Sequence, residues 1–314
     1  ECLAAGDQAM LFLNRRGYAG FLSCRSCGAP VKCPHCDVSL SIHRGGRLVC
    51  HYCGYETRIP ETCPECGSSF LRSFGIGTQQ VEDFIKKEFP RARVLRMDLD
   101  TTREKDGHEK ILAAFADREA DILIGTQMIV KGHDFPDVVL VGILAADMSL
   151  HASDYRAAER TFQLLTQAAG RAGRGGREGR VVIQTYDPGH YSIRAAAKQD
   201  YEEFYRQEIL YRSMGGYPPS GAMLAVHGTC EDEAYLGMAM GYLKEFLDRL
   251  AGKCGAGIIG PAEETVAKIN DIYRRVLYVK HSREEVLTFL KEKAEQYMEI
   301  NEGFRKITVQ FERC

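Results

Sequence analysis

The sequence contains no apolar run that approaches the roughly 20 residues with which a helix spans a membrane. Its N-terminus does not resemble a secretory signal, and its formal net charge of -2 shows no global excess of positive charge. These absences argue against a transmembrane role and an oxidising compartment, and they require any nucleic-acid-binding surface to be local. The 314 residues are 45% hydrophobic and 27% charged, as in an ordinary soluble globular chain of about two or three domains.

Two motifs typical of P-loop nucleotide hydrolysis are also absent. No Gly-x-x-x-x-Gly-Lys-Ser/Thr loop occurs in the sequence, and no Asp-Glu-x-His follows a predicted strand. The first would cradle the phosphates, and the second would supply a carboxylate for magnesium. The sequence therefore lacks the residues that ordinarily hold a nucleoside triphosphate.

Cysteine, by contrast, is concentrated in one stretch, residues 24–66. Eight of the twelve cysteines form four Cys-x-x-Cys pairs there: Cys24/Cys27, Cys33/Cys36, Cys50/Cys53 and Cys63/Cys66. Two residues between thiols let both sulfurs of a tight turn bind one ion, and Gly28, Gly54 and Gly67 let the backbone curl beneath it. Eight thiolates therefore predict two structural four-cysteine zinc sites.

Other uses of these cysteines fit less well. A disulfide framework needs an oxidising compartment, a redox Cys-x-x-Cys is a single pair, and iron-sulfur ligation usually shows ferredoxin spacing. Three histidines, His35, His43 and His51, are interpreted as non-ligands that face solvent or DNA, because eight sulfurs already fill two tetrahedral shells. The residues alone leave open three ways to divide four pairs between two ions.

Strands alternate with helices on either side of the cysteine-rich stretch. Strands are predicted at 10–14, 94–98, 121–126, 138–144 and 179–185, and helices at 81–89, 108–115 and 156–169, with Thr78 as N-cap of the first. This alternation predicts a parallel sheet covered on both faces and interrupted by the cysteine-rich insertion. Ligands are expected beyond the carboxyl ends of its strands, where we place the loops 75–79, 125–134 and 170–176.

The last third of the chain predicts a second domain. Its order is strand (222–228), helix (232–250), two strands (257–261 and 273–280), helix (283–298) and strand (305–311), a ferredoxin-like arrangement. Between Lys268 and Arg283 lies a local excess of four positive charges, which includes Arg274 and Arg275, against one acid, Asp271. This hairpin is predicted either to bind phosphate backbone or to be an edge strand kept soluble by its charge.

Two segments resemble motifs of superfamily 2 helicases. Residues 125–135, Gly-Thr-Gln-Met-Ile-Val-Lys-Gly-His-Asp-Phe, resemble motif V, and residues 167–174 resemble motif VI, Gln-x-x-Gly-Arg-x-Gly-Arg. Together with Gly-Ile-Gly-Thr-Gln at 75–79 and the inserted cysteine pairs, the resemblance narrows to the bacterial primosomal replication-restart helicases. It covers essentially the whole chain.

The resemblance implies an α/β fold with an added α+β domain. It implies a second RecA-like, parallel-sheet helicase lobe (1–23 and 67–190) with an inserted double-zinc module (24–66). A connecting helix and linker (191–221) and a ferredoxin-like C-terminal domain that binds DNA and partners (222–314) follow. The family pattern also implies a nested division of the cysteines, with Cys33/Cys36 and Cys50/Cys53 inside Cys24/Cys27 and Cys63/Cys66.

Motif VI implies contacts with the nucleotide. By resemblance, Arg174 is an arginine finger on the γ-phosphate and Arg171 contacts the same phosphates. Gln167 then positions the attacking water or the adjoining motif, while Gly132 and Asp134 of motif V couple the nucleotide to the DNA strand. The cofactors implied are ATP and Mg²⁺, besides two structural Zn²⁺ ions.

Other residues are expected on DNA. The resemblance places Thr126 of motif V on a DNA phosphate and Thr78 and Gln79 on the DNA backbone. The charge of the C-terminal hairpin adds Arg274 and Arg275 as candidates.

The function implied is an ATP-dependent 3′-to-5′ DNA helicase that recognises stalled or branched replication forks and initiates primosome assembly. Its implied partners are branched and single-stranded DNA, the C-terminal tail of the single-stranded DNA-binding protein, primosome proteins and the loader of the replicative helicase, in the bacterial cytoplasm at the nucleoid and without a membrane. In the family the missing motifs belong to a first lobe upstream of Glu1, so this chain is expected to be inactive alone.

Two other functions fit parts of the sequence. The first is a zinc-ribbon module that binds nucleic acid without a motor, which would have no use for Gln167, Arg171 and Arg174 together. The second, a translation-associated RNA helicase, is disfavoured by the double zinc insertion.

Overall fold

The structure is a computed structural model, and it describes residues 1–14, 21–43, 46–74, 77–98, 101–102, 106–129, 135–150, 154–173 and 178–314. Its α-helices are α1 (Thr78–Glu88), α2 (Gly107–Ala116), α3 (Ala157–Ala169), α4 (Tyr191–Lys198), α5 (Tyr201–Gly215), α6 (Glu233–Cys254) and α7 (Glu284–Ile300). Its first strands are β1 (Gln8–Leu13), β2 (Phe21–Cys24), β3 (Ser41–His43), β4 (Arg47–Val49), β5 (Glu56–Arg58), β6 (Leu71–Phe74) and β7 (Val94–Met97). The others are β8 (Ile122–Gly125), β9 (Val138–Leu144), β10 (Arg180–Ile183), β11 (Ala222–Cys230), β12 (Gly257–Ile269), β13 (Ile272–His281) and β14 (Thr308–Arg313).

Contacts divide the chain into two compact units. Unit 1 comprises Glu1–Gly20 and Phe74–Glu208, and unit 2 comprises Phe21–Ser73 and Ile209–Cys314. The cysteine-rich stretch therefore shares a unit with the C-terminal domain. Among the described residues, no helix is both long enough and apolar enough to cross a membrane.

Unit 1 is built on a parallel sheet in the order β10-β9-β1-β8-β7. Successive residues of β1 point to opposite faces, so Met10 and Phe12 pack into one buried cluster with α2 and α3, and Ala9 packs into another with Val81 of α1. Both faces are covered, which explains why the strands are almost uniformly apolar. The predicted parallel sheet with helices on both faces is confirmed.

Gly125 ends β8 at a point where the backbone of two elements comes close. A Cβ on this residue would lie 2.4 Å from Cγ2 of Ile129 and 2.8 Å from the carbonyl oxygen of Met97, the last residue of β7. The N–H of Ile129 donates to the carbonyl of Thr126 at 3.1 Å, which closes the turn that follows the strand. Only glycine therefore fits where motif V leaves the sheet.

The substitution Gly125→Ala is expected to destabilise unit 1 by about 1–3 kcal/mol, because a methyl group would be forced against a fixed backbone carbonyl. Gly142→Ala in β9 is the matched control, since its Cβ would meet only the flexible end of Leu11, at 2.8 Å. Urea unfolding of the two variants measures the difference. Equal stability losses would show that the Met97 carbonyl does not restrict this position.

Unit 2 contains an α+β domain with the order β11-α6-β12-β13-α7-β14, the order that the sequence predicted. Its antiparallel sheet runs β12-β13-β11-β14. Leu224 and Val226 of β11 pack against Leu243 of α6 and Leu290 of α7, and all four are buried. The core of this domain therefore lies between one face of the sheet and its two helices.

The cysteine-rich stretch forms its own small sheet in unit 2, in the order β5-β4-β3-β2-β6. Several of its strands are only three residues long. Its buried apolar side chains are few: Leu22, Val31, Val38, Leu40, Leu48 and Leu71. The remainder of this cluster consists of cysteines, so the sulfur-rich centres occupy the place of a conventional core.

Candidate metal centres and phosphate-binding motifs

The outer centre consists of Cys24, Cys27, Cys63 and Cys66, whose sulfur atoms all lie within 4.8 Å of one another. The sulfurs of Cys24 and Cys66 are 3.6 Å apart, and those of Cys27 and Cys63 are 3.8 Å apart. A zinc ion with four bonds of about 2.3 Å in a tetrahedron separates its sulfur ligands by about 3.8 Å. The spacing therefore fits a tetrahedral zinc site.

The inner centre consists of Cys33, Cys36, Cys50 and Cys53, again with all sulfurs within 4.8 Å. Cys27 and Cys66 of the outer centre are exposed, whereas no cysteine of the inner centre is. The structure thus brings the four pairs together in the nested division that the family pattern implies. Two four-cysteine clusters of this kind are compatible with two structural zinc ions.

The pKa values of the thiols explain why such a centre needs a cation. In the outer centre a backbone hydrogen bond from Cys27 lowers the pKa of Cys24 to about 6. A backbone hydrogen bond from Ser68 acts in the same direction on Cys66, but the thiols of Cys27 and Cys24 outweigh it and raise its pKa to about 12. Burial likewise raises the pKa of Cys36 in the inner centre to about 12. A divalent cation bound to the sulfurs would favour the thiolate form of Cys66 and Cys36.

Three of the four cysteine turns share one backbone geometry. Gly28, Gly54 and Gly67 have φ values of 80°, 76° and 73°. Each glycine N–H donates to the carbonyl of the first cysteine of its pair at 2.9 Å. Positive φ favours glycine, which is why this residue follows the second cysteine in these pairs. The turn of Cys33 and Cys36 differs, because Asp37 stands in that position.

Motif V begins at the carboxyl edge of the parallel sheet. Thr126 directly follows β8 and is half-buried. At the same edge Asp98 follows β7 and accepts a hydrogen bond from the hydroxyl of Thr78 at 2.6 Å. Sequence reasoning did not assign Asp98 a role, although a polar residue directly after an apolar strand was a usable signal.

The structure corrects one expectation for Thr78 and bears on a second. The N-cap of α1 is Gly77, whose N–H donates to the side chain of Gln80 at 3.3 Å, so the expected capping role of Thr78 was wrong. Thr78 is the first helical residue, it is buried, and its hydroxyl bonds to Asp98. Gln79, the next residue, is exposed. DNA contact by Thr78 and Gln79 stays a prediction, with Gln79 the more accessible of the two.

The turn of motif VI lies at the amino edge of the sheet, not at the carboxyl edge where it was predicted. The N–H of Gly173 donates at 3.0 Å to the carbonyl of Val138, the first residue of β9. The reason is that α3 connects the parallel strands β9 and β10 and must run back across the sheet, so it ends beside their amino ends. Gln167 is exposed on the last turns of α3, and Arg171 is half-buried just after it. Thr126, at the start of motif V, and the motif VI turn therefore lie at opposite edges of one sheet.

The same turn is fixed from its other side by Gly179. A Cβ on Gly179 would lie 2.4 Å from the nitrogen and 2.6 Å from the Cα of Gly173, so only glycine fits here. Gly173 itself has a φ of 75°. The backbone immediately before Arg174 is thus held between β9 and the start of β10. Arg174, Gly132 and Asp134 lie outside the described residues.

The charged hairpin of the C-terminal domain has acidic neighbours that its local sequence does not reveal. Arg274 pairs with Glu264 of β12 at 2.9 Å, and Arg275 pairs with Glu233 of α6 at 3.5 Å. Both arginines belong to β13, an inner strand of the sheet, so the explanation of a charge-protected edge does not apply to them. Their contact with DNA stays a prediction.

Residues 33–58 match the model of the PriA DNA helicase Cys-rich region, and residues 73–176 match the helicase conserved C-terminal domain. Replication restart protein PriA of Bacillus subtilis is 50% identical over 296 residues, 93% of this chain and 36% of that protein. The PriA of Synechocystis is 44% identical over 90% of this chain and 34% of that protein. The PriA of Haemophilus influenzae is 36% identical over 97% of this chain and 42% of that protein.

A parallel RecA-like sheet with motifs V and VI, joined to two four-cysteine clusters, defines the C-terminal part of a helicase. The relatives show to which family of helicases the chain belongs. The chain belongs to the PriA family of replication restart proteins, and it spans about a third to two fifths of the length of the relatives it matches.

Proposed function

We propose that this chain supplies the second motor lobe, the double-zinc module and the C-terminal domain of an ATP-dependent 3′-to-5′ DNA helicase that restarts replication at branched forks. The observation that carries the proposal is the motif VI turn, which is bound to β9 through Gly173 and Val138 in a chain closely related to replication restart proteins. A module that only binds nucleic acid has no need for an arginine-rich turn fixed in this way.

The two edges of the sheet suggest separate sites for the nucleotide and for the DNA strand. Arg171 lies at the amino edge, and by family resemblance it acts together with Arg174 on the charge that develops on a transferred phosphoryl group. Thr126 at the carboxyl edge is suited to a phosphate of the DNA strand. One rigid sheet between the edges would let a change at the nucleotide be felt at the DNA. ATP and Mg²⁺ would be held mainly by a lobe with a Walker A loop, which this chain does not contain.

The other components have simpler roles. Two zinc ions would hold the cysteine-rich module in shape without performing chemistry. By family resemblance the proposed partners are branched and single-stranded DNA, the tail of the single-stranded DNA-binding protein, primosome proteins and the loader of the replicative helicase. The same resemblance suggests a place in the bacterial cytoplasm at the nucleoid.

The test compares this chain alone with a protein that joins it to a Walker A lobe. The joined protein is expected to hydrolyse ATP, faster with forked DNA than with duplex, and to unwind the fork, whereas the chain alone should show no DNA-stimulated turnover. Steady ATP turnover by the chain alone, proportional to its amount across preparations, would contradict the proposal. DNA binding by the joined protein without any hydrolysis would favour a zinc-ribbon binding module instead.

A further inference from the structure

The tip of the β12–β13 hairpin lies against the cysteine turn that lacks a glycine. The two strands are joined by Asn270 and Asp271, whose φ values of 52° and 61° form a tight two-residue turn. The N–H of Asn270 points at the sulfur of Cys36, with nitrogen and sulfur 3.4 Å apart. The N–H of Asp271 donates to the carbonyl of His35 at 2.9 Å. A loop of the C-terminal domain thus contacts a candidate metal ligand of the inner centre directly.

Side chains extend this contact on either side of Cys36. The Nζ of Lys268 donates to the carbonyl of Pro34 at 2.9 Å, and the carboxylate of Asp271 lies 2.7 Å from Nδ1 of His35. This pairing engages Nδ1 of His35, which lies between two cysteines of the inner centre and was interpreted as a non-ligand. Both residues between Cys33 and Cys36 are therefore bound by the hairpin.

Apolar contacts lie beneath these polar ones. Val266 and Ile269 of β12 pack against the buried cluster of the cysteine-rich module, which includes Val31, Leu40 and Cys36. The hairpin therefore contributes side chains to the small core of the module. Residues far apart in sequence complete one structural element.

The Cys33–Cys36 turn has no glycine after its second cysteine, and its backbone hydrogen bond differs from that of the other three turns. In the other three turns the N–H of the glycine returns to the carbonyl of the first cysteine. The N–H of Asp37, which occupies the same position, instead donates to the carbonyl of Lys268 at 2.9 Å. The hairpin thus supplies the backbone acceptor that the other turns find within themselves.

We propose that the C-terminal domain stabilises the inner centre through the tip of the hairpin, residues 268–271, which contacts the metal-binding turn without itself supplying a ligand. The hairpin holds the Cys33–Cys36 turn in its metal-binding form and donates a hydrogen bond to the sulfur of Cys36. Groups in this position typically change metal affinity by about 10–100-fold when they are removed. Since coupling between two sites is reciprocal, bound metal must in turn hold the hairpin on the module. We expect no such dependence for the outer centre.

Zinc release from the purified chain tests the first half of the proposal. A chelating indicator records the release of the two ions. Cys66→Ser leaves only the inner centre intact and identifies the inner rate, and Cys53→Ser leaves only the outer centre intact and identifies the outer rate. The double variant Lys268→Ala/Asp271→Gly removes both side-chain contacts, and glycine accepts the positive φ at 271. We expect the inner rate to rise about tenfold and the outer rate to stay unchanged.

A matched control separates this effect from a general loss of charge. The double variant Glu302→Ala/Arg305→Ala also removes one carboxylate and one cation, an exposed ion pair 3.0 Å long in the same domain but outside the hairpin. It should leave both release rates unchanged. An unaltered inner rate in the double variant, or an equal rise in both rates, would overturn the proposal.

Hydrogen exchange at Asn270 and Asp271 tests the reciprocal half and leaves the hairpin sequence intact. Cys53→Ser weakens the inner centre without altering a residue that the hairpin touches, so both amides should exchange at least about tenfold faster. Cys66→Ser, which disables only the outer centre, should leave them protected. Unchanged protection in Cys53→Ser would show that the hairpin is seated without the metal, and the proposal would fail even if the release assay could not be run.

Discussion

Removal of both metal ions is expected to unfold the cysteine-rich module while the parallel sheet of unit 1 stays folded. The module has few buried apolar side chains, and its strands β3, β4 and β5 contain three residues each. Structural zinc in small domains contributes an apparent binding free energy of about 10–16 kcal/mol, which such a core does not replace. Unit 1, in contrast, buries Met10, Phe12 and Phe115 in an extended cluster between sheet and helices.

Hydrogen exchange with and without a strong chelator measures this difference. Amides of residues 24–66 should lose protection, and those of β1, β8 and β9 should keep it. Zinc added back should restore the module, whereas magnesium should not, because four thiolates select a soft cation. Elemental analysis of the untreated protein should give two zinc ions per chain. A module that stays protected after its metal is shown to be gone would contradict the structural role.

The parallel sheet could be predicted from sequence because its strands are short apolar runs between helices. The predicted strand 138–144 has the bounds of β9, and the other strands of the sheet differ by only one or two residues at their ends. Burial of both strand faces leaves a pattern that local sequence shows directly. The fold class thus follows from residues that are near each other in the chain.

The edge at which motif VI lies was not correctly predicted, because a rule for loops after strands was applied to a turn after a helix. The carboxyl-edge rule holds for Thr126, which follows β8. It does not hold for Arg171, which follows α3, since the helix returns to the amino edge. The sheet edge at which a loop lies depends on whether the loop follows a strand or the returning helix, and not on its residue types.

Strand β12 was predicted to end at Pro261 but continues to Ile269. Proline ends a central strand because it has no N–H to donate, but β12 is an edge strand and its register shifts between Ile259 and Ala262. The extension carries the hairpin as far as the inner cysteine centre. Local sequence could not show this contact, since its two sides are more than two hundred residues apart, as for Asn270 and Cys36.

The substitution Arg174→Ala is expected to abolish ATP hydrolysis in a protein that joins this chain to a Walker A lobe. An arginine finger contributes about 10³–10⁵-fold to the rate of phosphoryl transfer, because its cation faces the charge that develops in the transition state. The backbone up to residue 173 is fixed by the hydrogen bond from the N–H of Gly173 to the carbonyl of Val138. Binding to forked DNA should be nearly unchanged, since Thr126, the motif V residue expected on a DNA phosphate, lies at the other edge of the sheet.

Arg180→Ala is the matched control, because Arg180 is an exposed arginine at the first residue of β10 and lies at the same edge as the motif VI turn. It removes the same charge from that edge but belongs to no motif, and hydrolysis should be close to that of the parent protein. Initial rates of phosphate release with saturating forked DNA provide the comparison. If Arg174→Ala retained hydrolysis at the level of Arg180→Ala, the phosphates would be stabilised by other groups, and the assignment of motif VI would be wrong. A loss of hydrolysis in both variants would instead point to the general positive charge of the edge. A specific contact with the transferred phosphoryl group would make hydrolysis depend on Arg174 and not on Arg180.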